Sequence, residues 1–243
     1  MFSTAVVAVG ITLASSALFS NSAQAFSLSI APQFGSTENT GSTAKLDFNF
    51  VQQGANVLLN LDVTNTTNGS AGLGATQSTL VGVAIDLLGG PVTSYSYNSL
   101  SSAFTKTFTN VSIPGPFSNV NFDFAFRSAG SGTTFVGGNP QAGLTAGQST
   151  LVSFLLKGNG SLNATEVENS LLSRFSSGAM SVAGRFQQVN AGGGSDKVLG
   201  GYIPGDDKPE PPAESVPEPG TLLGVLAASA FVVGKKKLQR QAD

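Results

Sequence analysis

The chain contains no cysteine, no histidine and no tryptophan. Without thiols there are no disulfide staples and no thiolate metal site. Without imidazole there is no histidine general base, and no Ser-His or Cys-His catalytic pair. Charge is scarce as well: 12 Lys and Arg stand against 14 Asp and Glu in 243 residues, for a net charge of −2. A nucleic-acid-binding domain needs a basic stripe to neutralise phosphates. The one basic cluster here, Lys235, Lys236, Lys237 and Arg240, sits in the tail, so no nucleic-acid partner is expected. Gly, Ser, Thr and Asn are abundant instead, and 17 Phe supply most of the aromatic content. Such a composition builds short strands separated by many turns.

The two ends read differently from the middle. Ala5 to Phe19 is mostly apolar and small, and Ala23-Gln24-Ala25 has the small-x-small spacing that a signal peptidase pocket accepts. Residues 1–25 are expected to be a secretory signal cleaved after Ala25, although no Lys or Arg precedes the apolar run. At the other end, Gly220 to Gly234 is apolar or small throughout. As a helix this run spans roughly 22 Å, against about 30 Å for a hydrocarbon core. It is short for a permanent span. The lysines that follow it belong on the cytoplasmic side, which leaves the body of an exported chain facing outward.

The stretch "VPEPGTLLGVLAASAFVVGKKKLQR" resembles the PEP-CTERM sorting signal of bacterial exported proteins. Its three parts are present in order: Pro217-Glu218-Pro219, an apolar stretch, and a basic cluster. The resemblance implies that Pro217, Glu218 and Pro219 are read by exosortase, a membrane enzyme that processes such tails. It also implies a setting of exopolysaccharide production and biofilm formation. The residues fit that role physically: two prolines hold the backbone extended and outside the helix, leaving Glu218 as a lone acid at the membrane surface. "RFQQVNAGGGSDKVLGG" is similar to the closing segment of many cyanobacterial PEP-CTERM proteins. Residues 57–87 resemble the characteristic region of a cyanobacterial group called the cistern family, for which the resemblance carries no molecular activity.

Four segments follow from this reading: a signal peptide (1–25), a folded domain (26–203), a Pro- and acid-rich linker (204–216) and a sorting signal (217–243). The linker cannot form a core. From Pro204 to Pro219 it carries five acids and one Lys, and it reads as an extended spacer.

Within the domain, apolar residues alternate with period 2. In "KLDFNFVQQGANVLLNLDV" a turn at Gln53-Gly54 would set Phe50 against Val57, Phe48 against Leu59 and Leu46 against Leu61. Lys45 would then face Asp62. Further strands are expected in "STLVGVAIDLL", with Val81, Val83, Ile85 and Leu87 on one side, and in "VTSYSYNSL" and "FTKTFTNVSI". "NVNFDFAFRS" places Val120, Phe122, Phe124 and Phe126 on one face. "STLVSFLLKG" is apolar on both faces, as in a central strand, and "AMSVAGRFQQV" is a late strand. One helix is predicted in "TEVENSLLSRF", with Thr165 and Glu168 as a capping box and Val167, Leu171, Leu172 and Phe175 as its buried stripe. The expected fold is all-β: an antiparallel β-sandwich of jelly-roll type with one short helix, plus the terminal signal peptide and a single C-terminal hydrophobic helix.

Chemistry is sparse. Eight acids lie in the domain: Glu38, Asp47, Asp62, Asp86, Asp123, Glu166, Glu168 and Asp196. A glycosidase needs two of them facing each other across a cleft. Asp47 and Asp62 fall on the solvent face of the hairpin, and Glu166 and Glu168 diverge on the first turn of the helix. Calcium could draw on Asp196, or on Asn65 and Asn68, but no calcium-loop spacing occurs. "NAGGGSDKVLGG" lacks the spacing of a phosphate loop and reads as a flexible connection. The N-x-S/T sequons of "NTTNGS" mark exposed turns. No cofactor, metal or catalytic residue is expected. The chain reads as a non-enzymatic structural or interaction protein of the cell envelope or extracellular matrix. Its partners are signal peptidase, exosortase and the membrane that holds the C-terminal helix. The alternative is a carbohydrate-binding module of the exopolysaccharide matrix, with Tyr95 and Tyr97 on one strand face as a small glycan platform.

Overall fold

The structure is a computed structural model that describes residues 25–113 and 120–205. Eleven strands and one α-helix follow in chain order: β1 (Ala25–Ile30), β2 (Ala44–Gln53), β3 (Asn56–Asn65), β4 (Thr79–Ile85), β5 (Ser94–Ser99), β6 (Lys106–Ser112), β7 (Asn121–Arg127), β8 (Leu144–Thr145), β9 (Ser149–Lys157), α1 (Ala164–Ser176), β10 (Val182–Gln187) and β11 (Ser195–Gly201). All pairings are antiparallel. They make one sheet in the order β5-β9-β3-β2-β1-β11-β10-β4-β7-β6, with β8 added to β4. The sheet curls until its two ends face each other: Phe124 of β7 lies 4.7 Å from Phe154 of β9, between ring centroids, and 4.8 Å from Tyr95 of β5. A sheet with one continuous apolar face must cover that face, and curling is how this one does so.

The β2–β3 hairpin buries the expected residues in a different register. Phe50 pairs with Leu59, Phe48 with Leu61 and Leu46 with Val63. Each pairing is displaced by two residues, which keeps every side chain on its predicted face. The cause is the turn. Its two residues are Gly54 and Ala55, with Gly54 at φ +61°. A two-residue loop with positive φ only at its first position takes glycine there without strain. A turn at Gln53-Gly54 would have placed that conformation on Gln53. The displacement also removes the expected Lys45–Asp62 pair. Asp47 now faces Asp62, and Lys45 bonds Asp47 along its own strand at 2.8 Å.

Other expectations shift for local reasons. Val83, Ile85 and Leu87 face the core, whereas Val81 does not join them. A bulge lies between Arg185 and Phe186 of β10, which pair with Gly82 and Leu80, and leaves Val81 unpaired on β4. Phe124 and Phe126 enter the main core, but Phe122 packs with Val111, Ile113, Ala125 and Phe135 in a second, smaller cluster. β9 has partners on both sides, as a central strand should, yet it lies one strand from the sheet edge and exposes Leu151. The Gly-rich "GSDKVLGG" segment, expected as a connection, forms β11. It pairs with β10 along its length and with β1 at Ser29–Gly201 and Ile30–Gly200.

The helix begins earlier than expected. Its N-cap is Asn163, whose side chain accepts from the Glu166 N–H at 3.2 Å. Asn caps at least as well as Thr, so the cap and its acidic third residue are Asn163 and Glu166, two positions before the predicted pair. Glu168 consequently leaves the first turn and is buried, and burial pushes its carboxyl above the ordinary value. Val167, Leu171 and Phe175 are buried, with Leu172 at the margin. Phe175 packs on Phe26 and Phe48, themselves stacked at 4.5 Å. Gln52 ties the helix start to the hairpin: its Nε2 donates to the Leu162 carbonyl, and its Oε1 accepts from the Ala164 N–H.

One buried charge organises the smaller cluster. Arg127 is fully buried at the end of β7. Its guanidinium donates to the carbonyls of Thr134, Ser128 and Gly132 and lies 5.1 Å from the centre of the Phe108 ring. Backbone carbonyls and a ring face, in place of a carboxylate, hold the loop after β7 over the outer face of β4.

The Asp47–Asp62 contact makes a measurable prediction. Partial loss of solvent and the facing Asp47 push the Asp62 carboxyl above its usual value, against the pull of Lys45. An ionised Asp62 therefore costs folding free energy at neutral pH, and that cost fades as the group protonates. Asp62→Asn should raise the melting temperature at pH 7 by about 1–3 °C, a small gain because the group is exposed and screened. The gain should vanish as pH falls through the carboxylate range in paired thermal melts.

Candidate functional site

Tyr95 and Tyr97 share a face of β5, as expected, and that face is the inner one. Their rings stand at 89° to each other, 6.1 Å apart, and pack over Phe124 and Phe154. The Tyr97 hydroxyl reaches the Ala125 carbonyl at 3.5 Å. Burial, then the neighbouring Tyr95, push its ionisation far above the ordinary range. The pair, half-buried, thus covers the edge of the core with perpendicular rings.

Asp196 is the most heavily bonded carboxylate among the described residues. It is buried on β11. One oxygen accepts from Ser36 Oγ (2.8 Å), the Thr37 N–H (3.0 Å), Thr37 Oγ1 (2.9 Å) and the Glu38 N–H (3.1 Å). The other accepts from Ser36 Oγ (2.7 Å), the Thr40 N–H (3.0 Å) and Thr40 Oγ1 (2.8 Å). Burial alone would raise this carboxyl, but the hydroxyls and N–H groups of Ser36, Thr40 and Thr37 outweigh it and hold the pKa below its ordinary value. Every lone-pair direction meets a donor, so the carboxylate has no room for a cation. Its role is to pin residues 36–40 against the last strand.

Asn65, the other calcium candidate, is fully buried rather than on an exposed turn. Its Nδ2 donates to the carbonyls of Ser78 and Leu144, and its Oδ1 accepts from the Thr67 N–H. These bonds join the end of β3 to the starts of β4 and β8. A buried amide satisfied in this way is neither a ligand nor a glycan acceptor. Asn68 only closes a local turn onto Ser70. Among the described residues no group of three or more acids is placed to hold a metal.

The structure brings together one acid pair that the sequence did not connect. Asp86 and Asp123 sit at the adjoining ends of β4 and β7. Asp123 accepts from the N–H groups of Leu87 and Leu88 at 2.8 and 2.6 Å. Asp86 accepts from those of Asp123 and Ser181 at 3.2 and 2.8 Å. Burial pushes the Asp86 carboxyl up, and these N–H bonds pull it part of the way back. Both carboxylates thus tie off strand ends.

Two polar concavities flank β8. One, of about 530 Å³, is lined by Ser102, Gln141, Gln148, Ser149 and Thr150 among others. The second, of about 650 Å³, is lined by Thr76, Gln77, Ser78, Thr79, Thr145, Ala146 and Gln188. Neither contains a charged group; both offer amides and hydroxyls. Gln188 holds a positive φ of +52°, and its Oε1 accepts from Thr79 Oγ1 at 3.3 Å. Nothing in the sequence pattern marked these concavities, because the walls of the first join residues 102–103 to 141–150 and those of the second join residues 76–79, 145–146 and 188.

Of the predicted processing residues, Ala25 is described and opens β1, exposed and paired with Asn49. Phe26 beside it is a core residue. Ala23, the motif Pro217-Glu218-Pro219, the basic residues Lys235, Lys236, Lys237 and Arg240, and the hydrophobic helix between them lie outside the described residues. No family model, curated protein or solved structure matches the chain.

Removing the Asp196 charge isolates the clamp. Asp196→Asn should destabilise the fold by about 2–4 kcal/mol, because it leaves buried donors facing an amide. Denaturant titration measures this. In the wild type the depressed Asp196 pKa means that the contribution is complete above the unfolded value. It should be lost as pH falls through the folded one, giving an acid limb of the stability curve that is flatter in the variant.

Proposed function

We propose that the chain is an exported protein of the cell envelope or extracellular matrix, delivered by a PEP-CTERM-type sorting signal and acting there through structure and binding rather than catalysis. The observation that carries this reading is the tail itself: Pro217-Glu218-Pro219, a 15-residue apolar stretch from Gly220 to Gly234, and Lys235-Lys236-Lys237, in that order. A run of that length spans too little of a bilayer for a comfortable anchor, and the rigid Pro-Glu-Pro stands where a recognition site would face the membrane surface. An N-terminal export signal ending at Ala25 gives the same direction of travel.

Several features of the body support the proposal. The first strand opens at Ala25, so a chain cleaved after that residue keeps Phe26 and the whole core. The absence of thiols suits an oxidising compartment. Four of the eight acids of the body are engaged in holding the fold: Asp196, Asp86 and Asp123 accept backbone N–H bonds, and Asp47 is paired with Lys45. We read the curled sheet as a jelly-roll-like β-sandwich, with β5, β9, β3 and β2 on one side of the core and β10, β4, β7 and β6 on the other, capped by α1. Signal peptidase and exosortase are the processing partners, and the membrane is a partner through the C-terminal helix.

Intact-mass analysis of the protein recovered from its native host tests the proposal. The expected species begins at Phe26, has lost the segment from near Pro219 onward, and fractionates with the envelope or matrix. Replacing Pro217, Glu218 and Pro219 together with alanine should leave the hydrophobic tail in place and hold the chain in the inner membrane. A cytosolic product with both ends intact would overturn the reading.

A further inference from the structure

β5 is the outermost strand on one side of the sheet and pairs with β9 alone. On its other side no backbone group of Ser94–Ser99 bonds to a backbone partner among the described residues. A row of free N–H and C=O groups is a template for one more strand, and proteins blunt such edges with charge, proline or irregular backbone. The opposite edge of this sheet is blunted in that way. β6 opens with Lys106, and Asn110 within it takes a positive φ of +51° and drops out of the pairing with β7. β5 carries no such guard over Ser94–Tyr97. From Val92 to Thr105 there is no charged residue, no Gly and no Pro, and the register shift of β5 comes only after Tyr97. Short uncharged stretches of this kind, rich in strand-forming residues, pair readily with copies of themselves.

The side chains of this edge suit such a copy. Tyr95 and Tyr97 lie on the inner face, against Phe124 and Phe154, so Ser94 and Ser96 take the outer one. A two-fold axis perpendicular to the sheet would set β5 antiparallel to β5 and keep inner face beside inner face. Because side chains alternate, one residue must then stand on the axis. A tyrosine there would oppose its own ring on a margin already filled by Phe124 and Phe154. With Ser96 on the axis two small hydroxyl side chains meet on the outer face. Tyr95 of each copy then lies beside Tyr97 of the other, which extends the perpendicular ring contact made within one chain.

We propose that two copies of this chain join through β5, antiparallel about a two-fold axis at Ser96, into one continuous sheet. The contact is isologous, so it closes at two chains, and the guarded edge of β6 keeps it from growing into a filament. One short strand per copy makes a smaller contact than a permanent dimer needs, so the pair forms as concentration rises. The inference rests on the sheet and not on where the protein is delivered.

The absence of cysteine supplies the test. Ser96→Cys gives each chain a single thiol. In the proposed pair the two thiols stand directly opposite, with Cα atoms about 4.5–5.5 Å apart, inside the range that a disulfide spans. Mild oxidation of the full-length chain in non-ionic detergent, which masks its apolar ends, should convert Ser96→Cys to a disulfide dimer. Thr109→Cys, on the exposed part of β6, should stay monomeric. Sedimentation of the unsubstituted chain should show monomer passing to dimer, and to nothing larger, between about 1 μM and 1 mM. Ser96→Lys sets like charges opposite each other across the axis and should weaken dimerisation by about tenfold or more. Ser96→Thr should dimerise at least as well as the wild type. Dilute Ser96→Lys should melt with the dilute wild type, which separates lost pairing from lost folding. Four results would each overturn the proposal: a monomer at every concentration, a ladder of higher oligomers, equal crosslinking of Thr109→Cys, or undiminished dimerisation of Ser96→Lys. The apolar ends are the same in every variant, so association through them would not follow residue 96.

Discussion

A long antiparallel sheet with one apolar face and a single helix to cover it has few ways to keep water out. That constraint shapes everything else in this protein. α1 covers only the part of the sheet that carries Phe26 and Phe48. The rest of the apolar face must be covered by the sheet itself, and the curl that brings β5 and β9 opposite β7 is the consequence. Phenylalanine suits this design. It fills the space between facing strands with tilted and edge-on ring contacts and carries no polar atom that would need a partner inside.

The polar groups that do go inside act as fasteners. Asp196, Asn65 and Arg127 are all buried. Asp196 and Arg127 satisfy themselves on backbone groups or hydroxyls of segments that have no strand of their own, and Asn65 bonds the chain at the starts of β4 and β8. A chain without cysteine has few other means of fixing long connections to a sheet. Buried and fully bonded, such groups hold their loops in one arrangement, because any slip would strand donors or acceptors away from water.

Much of this was legible in the amino-acid pattern, for a simple reason. Period-2 alternation reports which face a residue takes, and the Leu46, Phe48, Phe50 row faces the core as read. Register is a different quantity. It depends on which residue of the turn takes positive φ, and Gly54 decided that at a place where alternation allows either answer. The same blindness hid the bulge that turns Val81 outward and the strand made from a Gly-rich segment, where propensity argued for a loop and sheet context prevailed. Asn163 was passed over as a cap because Thr165 and Glu168 also satisfy the spacing rule. The acids were legible only as an inventory. That Asp196 clamps the segment 36–40 follows from pairings between distant strands, and no local pattern encodes those.

The seam between β1 and β11 joins the first strand of the body to the last. Their antiparallel pairing sends the start of one and the end of the other out through the same end of the sheet. A nascent chain can therefore assemble its central hairpins early, but it closes its sheet only after the final strand has emerged. The open edges of β1 and β10 must wait until then. Contacts between such remote segments are slow to form, and exposed strand edges invite pairing with other chains. A tether that keeps the C-terminal end at the membrane surface during this interval would hold individual molecules apart until the seam is shut.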